Sequence, residues 1–226
     1  MSRARAPTRS SRSSCPRSCR PSSARERATE PAVLTLGGIV LAGGAGRRLG
    51  RPKACVVLGG RTLVERAVET LRRHCRSLVV ISRPGIELPP LDATVLFDRP
   101  GPDAPLNALA TGLAALDTGD VLVLACDLPS AGPVVDRIAL APAGAAAVAR
   151  DRVSRRWQPL CARYPRLATL EVCERLLAAG ELRLQPVIAE LAPSAVDASA
   201  DDLANVNSPD DLARLTALTR QEADGC

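Results

Sequence analysis

Residues 41–53, LAGGAGRRLGRPK, constrain this chain more than any other segment. They follow an apolar run, residues 33–41, that ends in glycines and reads as a buried strand. A strand that breaks into a glycine-rich loop bares backbone N–H groups at its carboxyl end, where α/β sheets hold their ligands. Among 30 basic side chains the only lysine is Lys53, which closes this loop. An ammonium is a compact, mobile point charge, where arginine is a planar fork. Bare N–H groups followed by such a charge suit a polyphosphate.

Strand and helix patterns then alternate. Thr62 begins a capping box with Glu65, and Leu63, Val64, Ala67, Val68 and Leu71 keep one helical face apolar. Residues 78–81 and 94–97 read as strands. Leu106, Leu109, Ala110, Leu113 and Leu116 mark a second helix. Residues 120–125, in DVLVLACD, read as a buried, central strand. A helix is expected near 134–140, strands over 145–149 and 159–164, and a helix over 167–178. Ser208 as N-cap, with Pro209 at the first helical position, starts a last helix. The alternation predicts a three-layer α/β domain with a mostly parallel, Rossmann-like sheet. That domain is expected over residues 32–220, between a basic N-terminal tail (1–31) and a short C-terminal tail (221–226).

The tail alters the meaning of the net charge of +6. Residues 1–30 hold eight arginines against Glu26 and Glu30, which leaves 22 basic and 22 acidic side chains in the rest. A neutral domain carries no broad nucleic-acid footprint. The tail lacks apolar periodicity and is expected to be disordered and dispensable. Phe97, Trp157 and Tyr164 are the only aromatics, so the core must be aliphatic. The eight cysteines are scattered, apart from a lone C-x3-C at Cys15 and Cys19, and are expected as reduced thiols. No apolar run reaches membrane-spanning length, and no apolar signal segment follows the first arginines. A cytoplasmic protein without nucleic-acid or membrane partners is expected.

Asp127 is the second candidate. It lies in CDLP, just past the apolar strand, where a carboxylate is costly unless solvated, paired or bound to a metal. The alternative is a plain turn or helix-capping aspartate. The glycine loop lacks the G-x4-G-K-[ST] spacing of the common P-loop and the acidic residue of the dinucleotide fingerprint.

Together these residues resemble a known family. LAGGAGRRLGRPK is similar to the L-A-G-G-x-G-x-R-[LM]-G-x-x-K signature of nucleotidyltransferases, and in particular of molybdenum cofactor guanylyltransferases. Asp98 with Ala104-Pro105-Leu106 resembles the family's D…GPL stretch, and CDLP at 126–129 its metal-binding C-D-x-P. NVNSPDDL at 205–212 resembles N-x-N-[ST]-P-E-[DE]-L, and Gln158-Pro159-Leu160 resembles a further family segment. The match spans about residues 37–215.

The resemblance implies a nucleotidyltransferase fold and transfer of GMP from GTP to the phosphate of molybdopterin. It implies nucleotide contacts at Leu41, Ala42, Gly43, Gly44, Gly46, Lys53, Asp98 and Asp127, with Mg²⁺ on Asp127. Arg48 and Lys53 are expected at the phosphates, and Asn205 and Asn207 at the acceptor or metal. Implied partners are GTP, a molybdopterin-type acceptor and proteins that mature molybdoenzymes. Three departures stand out. The family's GPLAG is Ala104-Pro105-Leu106-Asn107-Ala108 here, an expected asparagine is Ser82, and the last helix carries Asp where Glu is usual. The first two are expected to touch base and ribose. Alternatives are a relative using CTP or another phosphorylated acceptor, and a non-catalytic nucleotide-binding module.

Overall fold

The computed structural model describes residues 36–224. The expected basic tail, and with it Cys15 and Cys19, lies outside them. In chain order the elements are β1 (Leu36–Leu41), the short strands β2 (Val57–Leu58) and β3 (Arg61–Thr62), α1 (Leu63–Arg72), β4 (Cys75–Ser82) and β5 (Thr94–Phe97). Then come α2 (Pro105–Ala115), β6 (Asp120–Ala125), α3 (Gly132–Ala139), β7 (Ala147–Asp151) and β8 (Trp157–Pro165). The last are α4 (Arg166–Ala178), α5 (Gln185–Leu191), β9 (Ser194–Ala198) and α6 (Pro209–Asp224). α6 thus runs past residue 220, the expected end of the domain.

Seven strands form one sheet in the order β5-β4-β1-β6-β8-β7-β9. The strand over 120–125 is the middle one, as its apolar run predicts. Successive side chains of a strand point to opposite faces, and both faces here are covered. Ile39, Val79, Ile81, Val121 and Val123 pack under α2, α4 and α5. Val40, Leu78, Val80, Leu122 and Leu124 pack under α1 and α3. This double burial is why the strands read as continuous apolar runs. Two short contacts tighten the layers. The capping box is present, with Glu65 N–H donating to Thr62 Oγ1 and Thr62 N–H to Glu65. A Cβ on Gly112 of α2 would stand 2.6 Å from Ile39 Cγ2 of β1, so helix and strand approach at glycine distance.

The pairings are parallel except at β8, which runs against both β6 and β7. A buried ion pair accompanies that reversal. Arg163 of β8 donates to Asp120 of β6 at 2.6 Å, with side chains only 6% and 3% exposed. Arg163 also donates to the carbonyl of Ala139, and Gly144 N–H donates to Asp120, so the pair is well satisfied. A smaller apolar cluster of Val56, Leu58, Leu63, Ala204, Val206 and Leu215 seats the β2–β3 hairpin against α6 and the segment before it.

Cys55, Cys75, Cys126, Cys161 and Cys173 are free thiols, and burial pushes Cys75 up to about 12. Among the described residues no helix is long and apolar enough to cross a membrane.

Removing one partner of a buried pair strands the other charge. Asp120→Ala is expected to destabilise the domain by about 3–5 kcal/mol in chemical denaturation. A loss below about 1 kcal/mol, the scale of a surface pair, would show that Arg163 finds solvent without Asp120.

Candidate active site

The strand order reverses beside β1. β4 and then β5 lie to one side of it, and β6 to the other. Such a reversal leaves a crevice between the loops at the strands' carboxyl ends. The loops after β1 and β6 meet there. Cys126 N–H donates to the carbonyl of Leu41 at 3.1 Å, and Ala42 N–H to that of Ile81 at 2.8 Å, so the ladder runs one residue past the strands.

The glycine loop is built to bring its lysine back over the strand end. Gly46 has φ 57, and a Cβ there would lie 2.0 Å from the carbonyl oxygen of Arg51. Only glycine fits that turn. A single 3-10 turn, Arg47–Leu49, follows, closed by Leu49 N–H on the Gly46 carbonyl at 2.8 Å. Lys53 N–H then returns to the carbonyl of Gly44 at 3.0 Å.

The lysine side chain ends between two distant loops. Its Nζ lies 2.6 Å from Asp127 Oδ2 and 2.5 Å from Asn207 Oδ1. Asn207 is held by the start of α6. Its N–H and that of Ser208 donate to Asp211, and Asp211 N–H donates to Ser208 Oγ at 3.2 Å. This is a capping box closed by aspartate, so the Asp-for-Glu departure keeps the motif. The Ser208 hydroxyl and the Asn207 amide hold the Asp211 carboxyl below the usual range. The carbonyl of Asp127 itself accepts from Val206 N–H at 2.9 Å.

A cavity of about 200 Å³ opens between these loops, walled by Leu41, Ile81, Ala104, Ala108, Ala125 and Leu160 over Gly43 and Gly44. Lys53 and Asp127 line it on the β6 side, Arg83 and Asp98 on the side of β4 and β5. β5 and β6, which Asp98 and Asp127 follow, are three strand spacings apart, roughly 14 Å. On the second side Asp98 Oδ1, Ser82 Oγ and Arg83 Nε are buried without a hydrogen-bond partner. Burial raises the Asp98 pKa, with the Arg83 charge opposing and Asp103 adding to it. Native interiors seldom leave polar atoms unpaired, and two of these belong to Arg83 and Asp98 in the cavity lining, which points to a ligand.

Leu41, Gly43, Gly44, Lys53, Asp98 and Asp127 thus line one cavity, and Asn207 joins them through Lys53. Five expected residues, Asn207 among them, do not line it. Ala42 is buried beneath the loop, and Gly46 shapes the turn. Arg48 stands exposed on the 3-10 turn with no ion-pair partner among the described residues. Asn205 turns its amide to the carbonyl of Leu203 at 3.4 Å. Sequence reasoning missed Arg83. It pairs with Asp103, and its Nε would be 3.2 Å from a Cβ on Gly43. Its place directly after the carboxyl end of β4 was the available signal.

The family model of the MobA-like NTP transferase domain matches residues 38–196. The chain belongs to this family. It is 37% identical over 202 residues to the molybdenum cofactor guanylyltransferase of Cereibacter sphaeroides, covering 84% of this chain and all of that one. The Rhodobacter capsulatus protein of the same name is 33% identical with the same coverage. Among solved structures, molybdopterin-guanine dinucleotide biosynthesis protein A from Archaeoglobus fulgidus aligns with a TM-score of 0.63 at 21% identity, over 82% of this chain and all of that one. The 2-C-methyl-D-erythritol 4-phosphate cytidylyltransferase of Thermus thermophilus aligns with a TM-score of 0.65 at 22% identity, over 82% and 99%. The nucleotidyltransferase fold is shared with both.

Gly46→Ala tests the loop. A left-handed alanine costs about 1–3 kcal/mol, and its methyl must also displace the Arg51 backbone. The variant is expected to melt lower and to lose at least tenfold in nucleotide affinity by titration, because Lys53 is carried on the same turn. Unchanged affinity would separate the loop from the site.

Proposed function

We propose that this chain transfers GMP from GTP to the phosphate of molybdopterin and releases pyrophosphate. The observation that carries this reading is the meeting of Lys53, Asp127 and Asn207 at the switch point, beside the glycine loop. The names of the relatives that match along most of their length support the same substrates.

In this reading the triphosphate lies over Gly43 and Gly44 with Lys53 as its cation, and the base lies toward β4 and β5. Guanine offers adjacent N–H donors on one edge and O6 and N7 acceptors on another. The free Asp98 oxygen suits the donors, and Arg83 suits an acceptor. An oxygen of the acceptor's phosphate attacks the α-phosphorus of GTP. The bond from that phosphorus to the bridging oxygen breaks, and its electron pair leaves with pyrophosphate. The nucleophile is already anionic, so no strong general base is required, and the protein's work is positioning and charge neutralisation.

The donor set also fits magnesium. Among the described residues no group of three or more acidic, cysteine or histidine side chains could hold a metal. However, the carboxylate of Asp127 and the amide oxygen of Asn207 converge on a single cation, the Lys53 ammonium. Magnesium takes few ligands from protein and the rest from phosphate and water. Asp127, with Asn207, would hold it, and when bound it neutralises charge on the phosphate oxygens.

Asp127→Asn separates this role from that of a turn residue. The amide is nearly isosteric and caps turns about as well, yet it lacks the charge a hard cation prefers. The fold is expected to survive while magnesium-dependent GMP transfer, read by product mass, falls at least a hundredfold. Unchanged turnover would remove Asp127 from the chemistry.

Base choice is tested by competition among the four NTPs with magnesium. GTP is expected to win, because a wrong base leaves buried polar groups unpaired. Arg83→Gln is expected to narrow the margin of GTP over ATP. A wild-type preference for CTP would assign the chain to a cytidylyl activity, and binding of none would make it a module without turnover.

A further inference from the structure

The nucleotide accounts for only half of the sheet's active edge. β8 runs against β6 and so brings its amino end to the site, where Leu160 enters the cavity wall. β7 and β9, parallel to each other and opposed to β8, bring their carboxyl ends to the same edge. Above that edge stands the hairpin 152–156 between β7 and β8. β7 lies two strand spacings from β6, roughly 10 Å.

This hairpin is basic and firmly held. Arg150, Arg152, Arg155 and Arg156 fall within seven residues of a domain whose charges balance as a whole. The carboxylates around them, Asp151 and Asp197, are committed. Asp151 accepts from Val153 N–H at 3.1 Å and from the Ser154 hydroxyl at 2.7 Å, shaping the turn. Asp197 of β9 accepts from Arg150 at 2.9 Å and from Arg155 at 3.2 Å. Arg152 N–H donates to the carbonyl of Ala198 at 2.9 Å, and Arg150 lies 5.1 Å from the ring centre of Trp157. Arg155 takes φ 60, a conformation that an ordinary side chain holds only when its surroundings dictate it. Arg152 and Arg156 are exposed and have no ion-pair partner among the described residues.

The transfer brings two polyanions together, a nucleoside triphosphate and a phosphate monoester. The cation on the nucleotide side, Lys53, is needed there, and Arg83 is paired with Asp103. An acceptor arriving from the β8 side therefore needs its own positive charge, and guanidinium forks match phosphate oxygens. We propose that the hairpin 152–156 is the docking site for the phosphorylated acceptor, with Arg152 and Arg156 as the cations that draw this anion in from the β8 side toward the cavity. Asp197 and Trp157 act as positioning residues that hold Arg150 and the turn. The inference rests on the transfer reading above and adds a place for its second substrate.

The test is the double variant R152E/R156E, with R152K/R156K as the charge-keeping control. GTP affinity is measured by titration, and GMP transfer is followed against molybdopterin concentration at saturating GTP. Charge reversal is expected to raise the KM for molybdopterin at least tenfold while GTP affinity stays within twofold. The lysine pair is expected to recover most of the loss, and the wild-type KM to rise with salt. An acceptor KM within twofold of wild type in the reversed variant would overturn the proposal, as would a parallel loss of GTP affinity. A wild-type chain that binds no GTP would overturn the transfer reading itself.

Discussion

One ammonium ties the site together. Lys53 reaches Asp127, 74 residues away in sequence, and Asn207, 154 residues away. It thereby joins the loop after β1, the loop after β6 and the approach to α6. The two charged side chains are only 18% and 19% exposed, so each relies on the other more than a surface pair would. The arrangement is neutral as it stands. An anion that draws the ammonium toward itself leaves Asp127 uncompensated, and the site then calls for a second cation. Phosphate and a hard cation are thus favoured together by one contact, which is linkage in its simplest form.

The glycines serve this contact first and a ligand second. Gly46 permits the reversal that returns Lys53 to the strand end, and Gly44 accepts the lysine's own N–H. Gly43 gives room to Arg83. A loop signature of this kind combines backbone geometry with ligand contact. Ala42 and Gly46 therefore belong to the signature without lining the cavity.

Much of this was legible in the sequence, for identifiable reasons. The buried strands over 120–125 and 78–81 are covered on both faces, so their apolar runs carried the signal. Helix α1 announced itself through Thr62 and Glu65, a local contact within one turn. β9 and α5 were not foreseen. β9, SAVDA, pairs with β7 alone, at the edge of the sheet, and is mostly only partly buried. α5 has seven residues, too few for its period to stand out. The direction of β8 was also hidden, because strand patterning is the same for either direction. In the site, the residues of the two loops at the switch point were readable because strand ends localise them. Arg83 also follows a strand end, but its pairing depends on Asp103 and Gly43, which lie elsewhere in the chain.

The two segments that depart from the family pattern lie beside one wall of the cavity. Asn107 stands where the family has a small residue, and it is 2% exposed. It does not face the cavity. Its amide donates to the carbonyl of Arg99 at 3.1 Å, and its oxygen accepts from Arg99 Nε at 3.1 Å. Arg99 N–H donates in turn to Thr111 of the same helix at 3.2 Å. The loop from Asp98 to Ala104 is thus clamped onto α2, and that loop carries Asp103, the partner of Arg83. Arg83 follows Ser82, the other departure, and lies over Gly43. This wall of the cavity is therefore set by side-chain contacts, Asn107 with Arg99 and Asp103 with Arg83. The hydrogen bond of the Arg99 guanidinium is charge-assisted, while the largely exposed Arg83–Asp103 pair contributes about 0–1 kcal/mol. Loosening the Asp103 contact should shift Arg83 before it disturbs Lys53, which is held by Asp127 and Asn207.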